Sequence, residues 1–381
     1  MQKNHISGGI CLVAALLIAM YTGANFIRIR QPDVLIKGPG VSKTMMLSAY
    51  FEGIKGTNAD TEIYVMQGSE PGGKVLILGG THPNEPARYF GAIAFLERGI
   101  VEAGTVYVIP RTNNSAFTHN DPQEGSPQYM RLTTKSGERA FRYGSRATNP
   151  IDQWPDPDVY IHAASKQRLS GAETRNINRA YPGRPDGTLT EKNAYAITQM
   201  VISEQIDLVF DLHEASPEYP VNNATVSHEK GMNVASLGMF EMLLQGISMS
   251  LEPSPANLHG LTHRELGDYT DTIPLLMETA NASQGRLRGA TSERLALTGV
   301  DKYYTKADQL GMLFVAYDNL GHPIEERVGR HLQGIYEYTE AFSALNAERK
   351  VSFSGVPTYR QLFSDSDGTD LGGPRLATFL N

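Results

Sequence analysis

The sequence predicts an α/β fold, with a mixed, mostly parallel central sheet flanked by helices in a single domain. Two apolar runs, KVLILGG (74–80) and TVYVIP (105–110), have the continuous hydrophobicity of strands that are buried on both faces. Between them, residues 86–100 place apolar side chains at helical spacing. A strand–helix–strand order is typical of a parallel strand pair joined by a helical crossover.

The other elements follow in order along the chain. A strand-like run at 61–68 precedes the first buried strand, and the turn SEPGG separates the two. Residues 113–176 are polar, proline-rich and irregular, as long functional or disordered segments often are. The pattern then predicts a helix at 191–205, strands at 207–213 and 272–279, and a late helix at 331–349.

These elements divide the chain into four segments. We expect a signal peptide or membrane anchor at 1–30 and a linker leading into the fold at 31–60. The catalytic domain is predicted at 61–349, and a Gly- and Asp-rich tail on the surface is predicted at 350–381.

Composition restricts the chemistry that this chain can perform. The net charge of −7 argues against nucleic acid as a partner, because nucleic-acid-binding proteins usually have a basic face. The only cysteine, Cys11, lies in the N-terminal apolar run, so the body contains no disulfide, zinc ribbon or thiol nucleophile. Any metal site in the body must therefore use histidine, aspartate and glutamate.

The N-terminus has the pattern of a targeting segment. Lys3 and His5 precede an uncharged run at 6–27, and Arg28 follows it. Such a run serves as a signal peptide or as an uncleaved anchor. The alternative is a buried N-terminal helix of the folded domain. We expect an extracytoplasmic body that is secreted or tethered to a membrane, and a cysteine-free body suits an oxidising compartment.

Acids and histidines fall where predicted strands end. His82 and Glu85 follow the strand at 74–80, His213 ends the strand DLVFDLH, and Glu278 ends TIPLLMET. Ligands of open parallel sheets bind outside the carboxyl ends of the strands, so these side chains should meet at one edge. The His-x-x-Glu spacing alone is a weak signal. Catalytic zinc commonly takes two histidines and one glutamate, however, so we predict one zinc ion held by His82, Glu85 and His213.

Four motifs then carry a resemblance to a known family. GGTHPNEPA, NINRAYPG, DLHEASP and LLMETAN, in that order over 61–281, resemble the zinc carboxypeptidase superfamily. Within it, the sequence is most similar to the succinylglutamate desuccinylase and aspartoacylase branch. The resemblance implies a carboxypeptidase-like fold and a zinc hydrolase that cleaves an amide bond in a substrate with a free carboxylate.

The resemblance also implies roles for individual residues. Asn178 and Arg179 match the family's Asn-Arg pair, which holds the substrate carboxylate. The planar guanidinium of an arginine suits bidentate binding of a carboxylate. Glu278 matches the carboxylate that activates the attacking water and then protonates the leaving amine.

A further arginine in the family polarises the scissile carbonyl, and its position here is open. Arg168 is the first candidate and Arg175 the second, because both shortly precede the Asn-Arg pair, and Arg111 is the third. The segment HGLTHRELGDYTD contains two glycines and is predicted to be a loop. It would form a wall of the substrate pocket, with His263 and Arg264 as candidate contacts.

Two positions depart from the family pattern. Asn176 stands where the family usually has an aspartate that accepts a hydrogen bond from the first zinc histidine. Loss of such a carboxylate typically costs about 10- to 100-fold in metal affinity or activity. The amide oxygen can still accept the bond, or Asp211 supplies the missing charge. Pro83 replaces a glycine, which stiffens the loop.

Three functions remain open from the sequence. The first is a deacylase that splits an acyl group from a small amino acid. The second is a metallocarboxypeptidase that acts on peptides, including cell-wall peptides, which export favours. The third is a membrane-tethered binding protein that kept the fold and lost activity, for which Asn176 is the only feature in favour.

Overall fold

The computed structural model describes residues 2–121, 125–363 and 375–381. Its α-helices are α1 (Gln2–Arg28), α2 (Pro86–Arg98), α3 (Leu189–Glu204), α4 (Met232–Leu244), α5 (Thr262–Tyr269), α6 (Glu293–Thr298), α7 (Lys302–Gln309), α8 (Ile324–Leu345), α9 (Tyr359–Leu362) and α10 (Arg375–Phe379). Its strands are β1 (Lys43–Met46), β2 (Glu62–Gln67), β3 (Glu70–Leu78), β4 (Ile100–Ile109), β5 (Tyr129–Thr134), β6 (Gly137–Arg142), β7 (Val159–Ile161), β8 (Arg168–Ser170), β9 (Leu208–Ala215), β10 (Ala224–Ser227), β11 (Ser250–Pro253), β12 (Ile273–Ala280) and β13 (Ser352–Ser354).

The main sheet is mixed and has a parallel centre, as the sequence predicts. Its strand order is β1-β2-β4-β3-β9-β12-β10-β11, and β13 pairs with β4. The four central strands β4, β3, β9 and β12 run parallel to one another. Antiparallel pairings attach β2 and β13 to β4 and attach β10 to β12. The carboxyl ends of the central strands therefore share one edge of the sheet.

Helices cover both faces of this sheet because its central strands are apolar on both sides. On β3, Val75 and Ile77 pack into one cluster with α2 and α8, whereas Leu76 and Leu78 pack into a second cluster with α3. All four side chains are fully buried. Burial of each such side chain contributes about 1.5–3 kcal/mol to stability, so the predicted strand is held firmly in the sheet.

The segment predicted to be a loop around His263 is instead the helix α5, so that prediction was wrong. Its glycines have local structural roles. Gly260 precedes the helix with a φ of +84°, a conformation that favours glycine. Gly267 lies against the ring of His228, where an added Cβ would approach to 2.3 Å. A positive φ therefore accounts for Gly260, and close packing accounts for Gly267.

Two other stretches are more ordered than the sequence predicts. The irregular stretch 113–176 contains two small antiparallel pairs, β5–β6 and β7–β8. SEPGG is not a turn, because β3 already begins at Glu70, and Gly72 and Gly73 lie against the backbone of residues 349–350.

The sheet also extends into the predicted linker and tail. β1 pairs with β2, and β13 pairs with β4. The tail was predicted to lie on the surface, yet Leu362, Leu376 and Leu380 are buried in the core. Residues 364–374 of that tail lie outside the described part of the chain. Short strands that depend on a distant partner leave little periodic signal, which is why the sequence did not reveal these pairings.

The N-terminal helix α1 is separate from this core. Its segment His5–Arg28 has 24 residues and a mean hydropathy of 2.1, and none of its most apolar stretch is buried. By length and composition it can cross a membrane, and a signal sequence has the same properties. The alternative of a buried N-terminal helix does not fit this exposure.

Candidate metal centre and substrate pocket

Two imidazoles and a carboxylate converge at the carboxyl edge of the central strands. His82 and Glu85 lie in the loop between β3 and α2, and His213 lies on the neighbouring strand β9. One ligand atom from each lies within 4.8 Å of the others, and all three residues are buried. Gly80 shapes this loop, because its φ is +61° and any Cβ there would lie 2.7 Å from the ring of Phe117.

Both imidazoles direct Nδ1 toward Glu85 and Nε2 away from it. His82 Nε2 lies 2.8 Å from the amide oxygen of Asn176, and His213 Nε2 lies 2.9 Å from a carboxylate oxygen of Asp211. The Nδ1 atoms face Glu85, at 2.8 Å from His82 and 3.5 Å from His213. An oxygen acceptor at each Nε2 can hold the proton there when a metal lies between the two Nδ1 atoms and Glu85. The donor set therefore fits a divalent metal such as zinc.

The protonation state of His82 also suits metal binding. Burial, reinforced by the charge of Arg146, lowers the pKa of His82 to about 3, so its ring is neutral. Burial alone would raise the pKa of Glu85, but the guanidinium of Arg88 holds that pKa well below its usual value. A neutral imidazole and an ionised carboxylate are the protonation states that a metal requires.

Asn176, which stands where an aspartate was expected, is held in place by the carboxylate of Glu173. The amide nitrogen of Asn176 donates to the carboxylate of Glu173 at 2.7 Å, which turns the amide oxygen toward His82. A negative charge therefore lies one hydrogen bond behind the amide. Asp211 does not supply the charge to His82, because it accepts from His213 and from the hydroxyl of Thr81.

Arg88 is a component of the cluster that was not predicted from the sequence. It is fully buried, and its guanidinium lies 2.5 Å from Glu85 Oε2 and 3.3 Å from Asp211 Oδ1. The same group lies 3.1 Å from His213 Nε2. A buried cation in this position balances the carboxylates around the site. Its spacing of three residues from Glu85 on the first turn of α2 was the available signal.

Glu278 lies on β12, the strand that pairs with the His213 strand β9. It is the register partner of His213 across β12 and β9, so both side chains point to the same face of the sheet. Its Oε2 atom is buried and has no hydrogen-bond partner in the described part of the protein. Burial raises the pKa of this carboxyl to about 7. The group can therefore accept and release a proton near neutral pH.

The arginine beside the cluster is Arg146, and none of the three predicted candidates occupies that position. A guanidinium nitrogen of Arg146 lies 3.3 Å from His82 Nδ1 and 3.4 Å from Glu85 Oε1. Its side chain is 43% exposed and lines the pocket described below. Arg146 follows the β5–β6 pair in a stretch without any strand-end pattern, so no sequence signal singled it out.

Each predicted carbonyl-polarising arginine is engaged or exposed elsewhere. Arg168 is exposed on the small strand β8, away from the pocket lining. Arg175 pairs with Asp156 through bonds of 2.7 and 2.9 Å. Arg111 is buried against the backbone carbonyl of Asp33 and the hydroxyl of Tyr89. Closeness in sequence to the Asn-Arg pair did not predict which arginine lies beside the metal cluster. Arg168 belongs to the β7–β8 pair, which places it outside the cavity lining.

Asn178 and Arg179 line the same pocket as Arg146. The Asn178 side-chain oxygen accepts bonds from the backbone and hydroxyl of Thr262, at 2.9 and 3.0 Å. Its amide nitrogen is thereby left to donate to another group. One guanidinium nitrogen of Arg179 donates to the Asn178 carbonyl at 2.6 Å, which positions the guanidinium.

These side chains border a cavity of about 500 Å³. His263 lines this cavity, with Nδ1 2.8 Å from the hydroxyl of Ser254, and burial lowers the pKa of His263 to about 3. Arg264 is instead paired with Asp268 and Glu229. A larger cavity of about 780 Å³ lies at the other end of the central strands and contains none of the metal-cluster residues.

Comparison with known proteins gives only distant structural neighbours. No protein-family model and no curated protein matches the chain. The ectoine utilization protein of Ruegeria pomeroyi, in its product-bound form, has a TM-score of 0.36 and 17% identity, over 59% of this chain and 54% of that chain. The metallo-carboxypeptidase of Burkholderia cenocepacia has a TM-score of 0.44 and 11% identity, over 85% of this chain and 69% of that one.

A third neighbour is the tripeptide-bound cell shape determinant Csd4 of Helicobacter pylori, with a TM-score of 0.43 and 14% identity, over 77% of this chain and 56% of that one. The match to the Ruegeria protein spans only about half the length of that protein. TM-scores this low establish no activity for this chain. The fold and the site together define an α/β protein with a candidate metal centre of two histidines and one glutamate at the carboxyl edge of its sheet.

Proposed function

We propose that this chain is a zinc-dependent hydrolase that cleaves an amide bond in a substrate with a free carboxylate. The observation that carries the proposal is the convergence of His82, Glu85 and His213 beside the partnerless carboxyl of Glu278. When bound by these ligands, zinc would supply Lewis-acid activation of a water molecule and of the scissile carbonyl. The donor set contains nitrogen and oxygen only, which suits zinc with an open coordination position.

Glu278 is the proposed general base. Its buried oxygen has no competing donor among the described residues, and it can take a proton from the attacking water. A carboxyl with a pKa of about 7 can then return that proton to the leaving amine. Such proton transfers typically contribute about 10²- to 10⁴-fold to the rate.

Arg146 is proposed to stabilise the negative charge that develops on the carbonyl oxygen. Its guanidinium borders both His82 and Glu85, and its partial exposure leaves it free to reach a substrate. Removing one such donor from an oxyanion site typically costs about 3 kcal/mol of transition-state stabilisation.

Asn178 and Arg179 are proposed to hold the substrate carboxylate. The Asn178 amide is fixed by Thr262 with its nitrogen free to donate, and the Arg179 guanidinium lines the same cavity. Two donors side by side bind a carboxylate with defined orientation. This arrangement favours substrates whose free carboxylate lies close to the scissile amide.

A metallocarboxypeptidase acting on exported or cell-wall peptides is the second candidate. The exposed apolar helix α1 favours it, because a chain exported or anchored by that helix would meet peptides outside the cytoplasm. The third reading, a tethered binding protein without activity, is weakened by the intact bond between Asn176 and His82 and by the presence of Glu278.

Metal analysis and turnover test the proposal. We expect the full-length protein, purified in detergent, to contain one zinc per chain and to hydrolyse acyl-amino acids or peptides that end in a free carboxylate. Matched panels of acyl-amino acids and peptides would separate deacylase from carboxypeptidase. A zinc-loaded protein without activity on either panel would favour the binding protein, and a protein that binds no divalent metal would exclude the hydrolase.

A further inference from the structure

The substrate cavity has a second charged group whose role the proposed function does not include. Glu252 lines the cavity from β11, at the edge of the sheet. Among the described residues, its carboxylate has neither a hydrogen-bond partner nor a cation within ion-pair distance. Arg264, whose guanidinium contacts the backbone carbonyl of Ser254, is already paired with Glu229 and Asp268.

Sheet register places this carboxylate at the end of an apolar strip. Leu276 on β12 is the register partner of Val226 on β10, and Val226 is the register partner of Glu252 on β11. Register partners point to the same face of a sheet, and Leu276 lies two residues before Glu278 on that face. A strip of two apolar side chains therefore leads from the proposed catalytic base to Glu252.

The dimensions of the strip suit a long side chain. Glu252 is two strands away from Leu276, which corresponds to about 10 Å across the sheet. Leu276 and Val226 offer a surface for methylene groups, and the carboxylate stands beyond them. Lysine and arginine carry a cation at the end of such an apolar stem.

The cavity has positively charged side chains near the metal cluster and a negatively charged one at the far end of the apolar strip. Arg179 and Arg146 are available for an anion near the metal cluster, whereas Glu252 is available for a cation at the far end of the strip. A molecule with a carboxylate at one end and a basic side chain at the other matches both. An acidic leaving group would instead bring a second negative charge toward Glu252.

We infer that the amino acid released by this enzyme, the one that carries the free carboxylate, has a cationic side chain that pairs with Glu252. This inference rests on the proposed function, because it names the substrate class of the same cavity. Glu252 is thus assigned as a specificity-determining residue, with Leu276 and Val226 contacting the stem of the side chain.

Binding of free amino acids to the zinc-loaded full-length protein tests the inference without requiring turnover. Calorimetry with L-lysine and L-norleucine compares two side chains that differ chiefly in the terminal ammonium. We expect lysine to bind about 10- to 100-fold more tightly, as a charge-assisted contact provides. Glu252→Gln should remove this difference, and Glu252→Lys should shift the preference to L-glutamate.

Glu241→Gln is the matched control, because Glu241 is an exposed glutamate on α4 outside the cavity. It should keep the full preference for lysine. Equal binding of lysine and norleucine by the unmodified protein would overturn the inference, and so would a Glu252→Gln variant that still prefers lysine.

Turnover separates this inference from the proposed function. Hydrolysis of N-acetyl-lysine and N-acetyl-norleucine at equal rates would support a hydrolase and contradict the role of Glu252. Lysine binding that depends on Glu252, without hydrolysis of any amide, would support the pocket and contradict the hydrolase.

Discussion

Asn176 accepts a hydrogen bond from Nε2 of His82 at 2.8 Å, at the position where the family that the sequence resembles usually has an aspartate. The acceptor is neutral, but Glu173 holds its amide in place from behind. The orientation of the imidazole is therefore kept, while the charge that would raise its basicity is moved one bond away.

Restoring the aspartate should tighten zinc binding, provided that the neighbouring charge is removed. Asn176→Asp alone would place two carboxylates in contact, because Glu173 lies 2.7 Å from the amide nitrogen. We expect the double variant Asn176→Asp/Glu173→Gln to bind zinc about 10-fold more tightly, measured by competition with a chelator. Glu173→Gln alone is the control. Unchanged affinity in the double variant would show that a negative charge on the acceptor of the His82 hydrogen bond does not affect zinc binding.

Substitution of a ligand and of the base should have different effects. His82→Ala removes one of three donor atoms, so the purified protein should lose its zinc. Glu278→Gln should keep one zinc per chain and lose about 10²- to 10⁴-fold in kcat. Metal analysis together with kinetics distinguishes the two variants. Full activity of Glu278→Gln would reject the assigned base.

Arg146 and Arg168 offer a matched pair of arginine substitutions. Arg146→Ala should lower kcat/KM by about 10²- to 10³-fold with zinc content unchanged, because a donor to the developing oxyanion is lost. Arg168→Ala should leave kcat/KM near that of the unmodified protein, since Arg168 is exposed outside the cavity. A larger loss of kcat/KM in Arg168→Ala than in Arg146→Ala would instead assign stabilisation of the oxyanion to Arg168.

Arg179 should matter only for substrates that carry a free carboxylate. We expect Arg179→Ala to raise KM for such substrates by about 10- to 100-fold, as loss of a charge-assisted pair would. The corresponding amidated substrates should change little in KM. Similar increases for acids and amides would argue against a carboxylate-binding role.

The pH profile should have an acid limb set by Glu278. Burial raises the pKa of this carboxyl to about 7, and the base must be ionised to accept a proton. Activity should therefore fall as pH falls through that pKa, and the positive charge of bound zinc shifts the limb to lower pH. kcat/KM measured from about pH 5 to 8 checks this. The limb should be absent from the residual activity of Glu278→Gln, whereas its persistence would assign it to another group.

Much of the site could be predicted because local pattern determines which residues end a buried strand. KVLILGG and DLVFDLH are apolar enough to be central strands, and parallel strands share one carboxyl edge. His213 ends one of these strands, and His82 and Glu85 lie in the short loop that follows the other, so the rule places all three at that edge. The register of Glu278 with His213 follows from the same parallel pairing.

The sequence by itself therefore determined the central strands of the sheet, the edge at which they end and the candidate metal ligands. Tertiary structure alone decided which arginine reaches the cluster, that Arg88 is buried beneath it, and that Glu252 faces the same cavity as Glu278. These residues come from loops, a helix turn and an edge strand, and their positions depend on contacts between distant parts of the chain. Hydrophobic periodicity records burial within one element, and it carries no information about which distant side chains meet across elements.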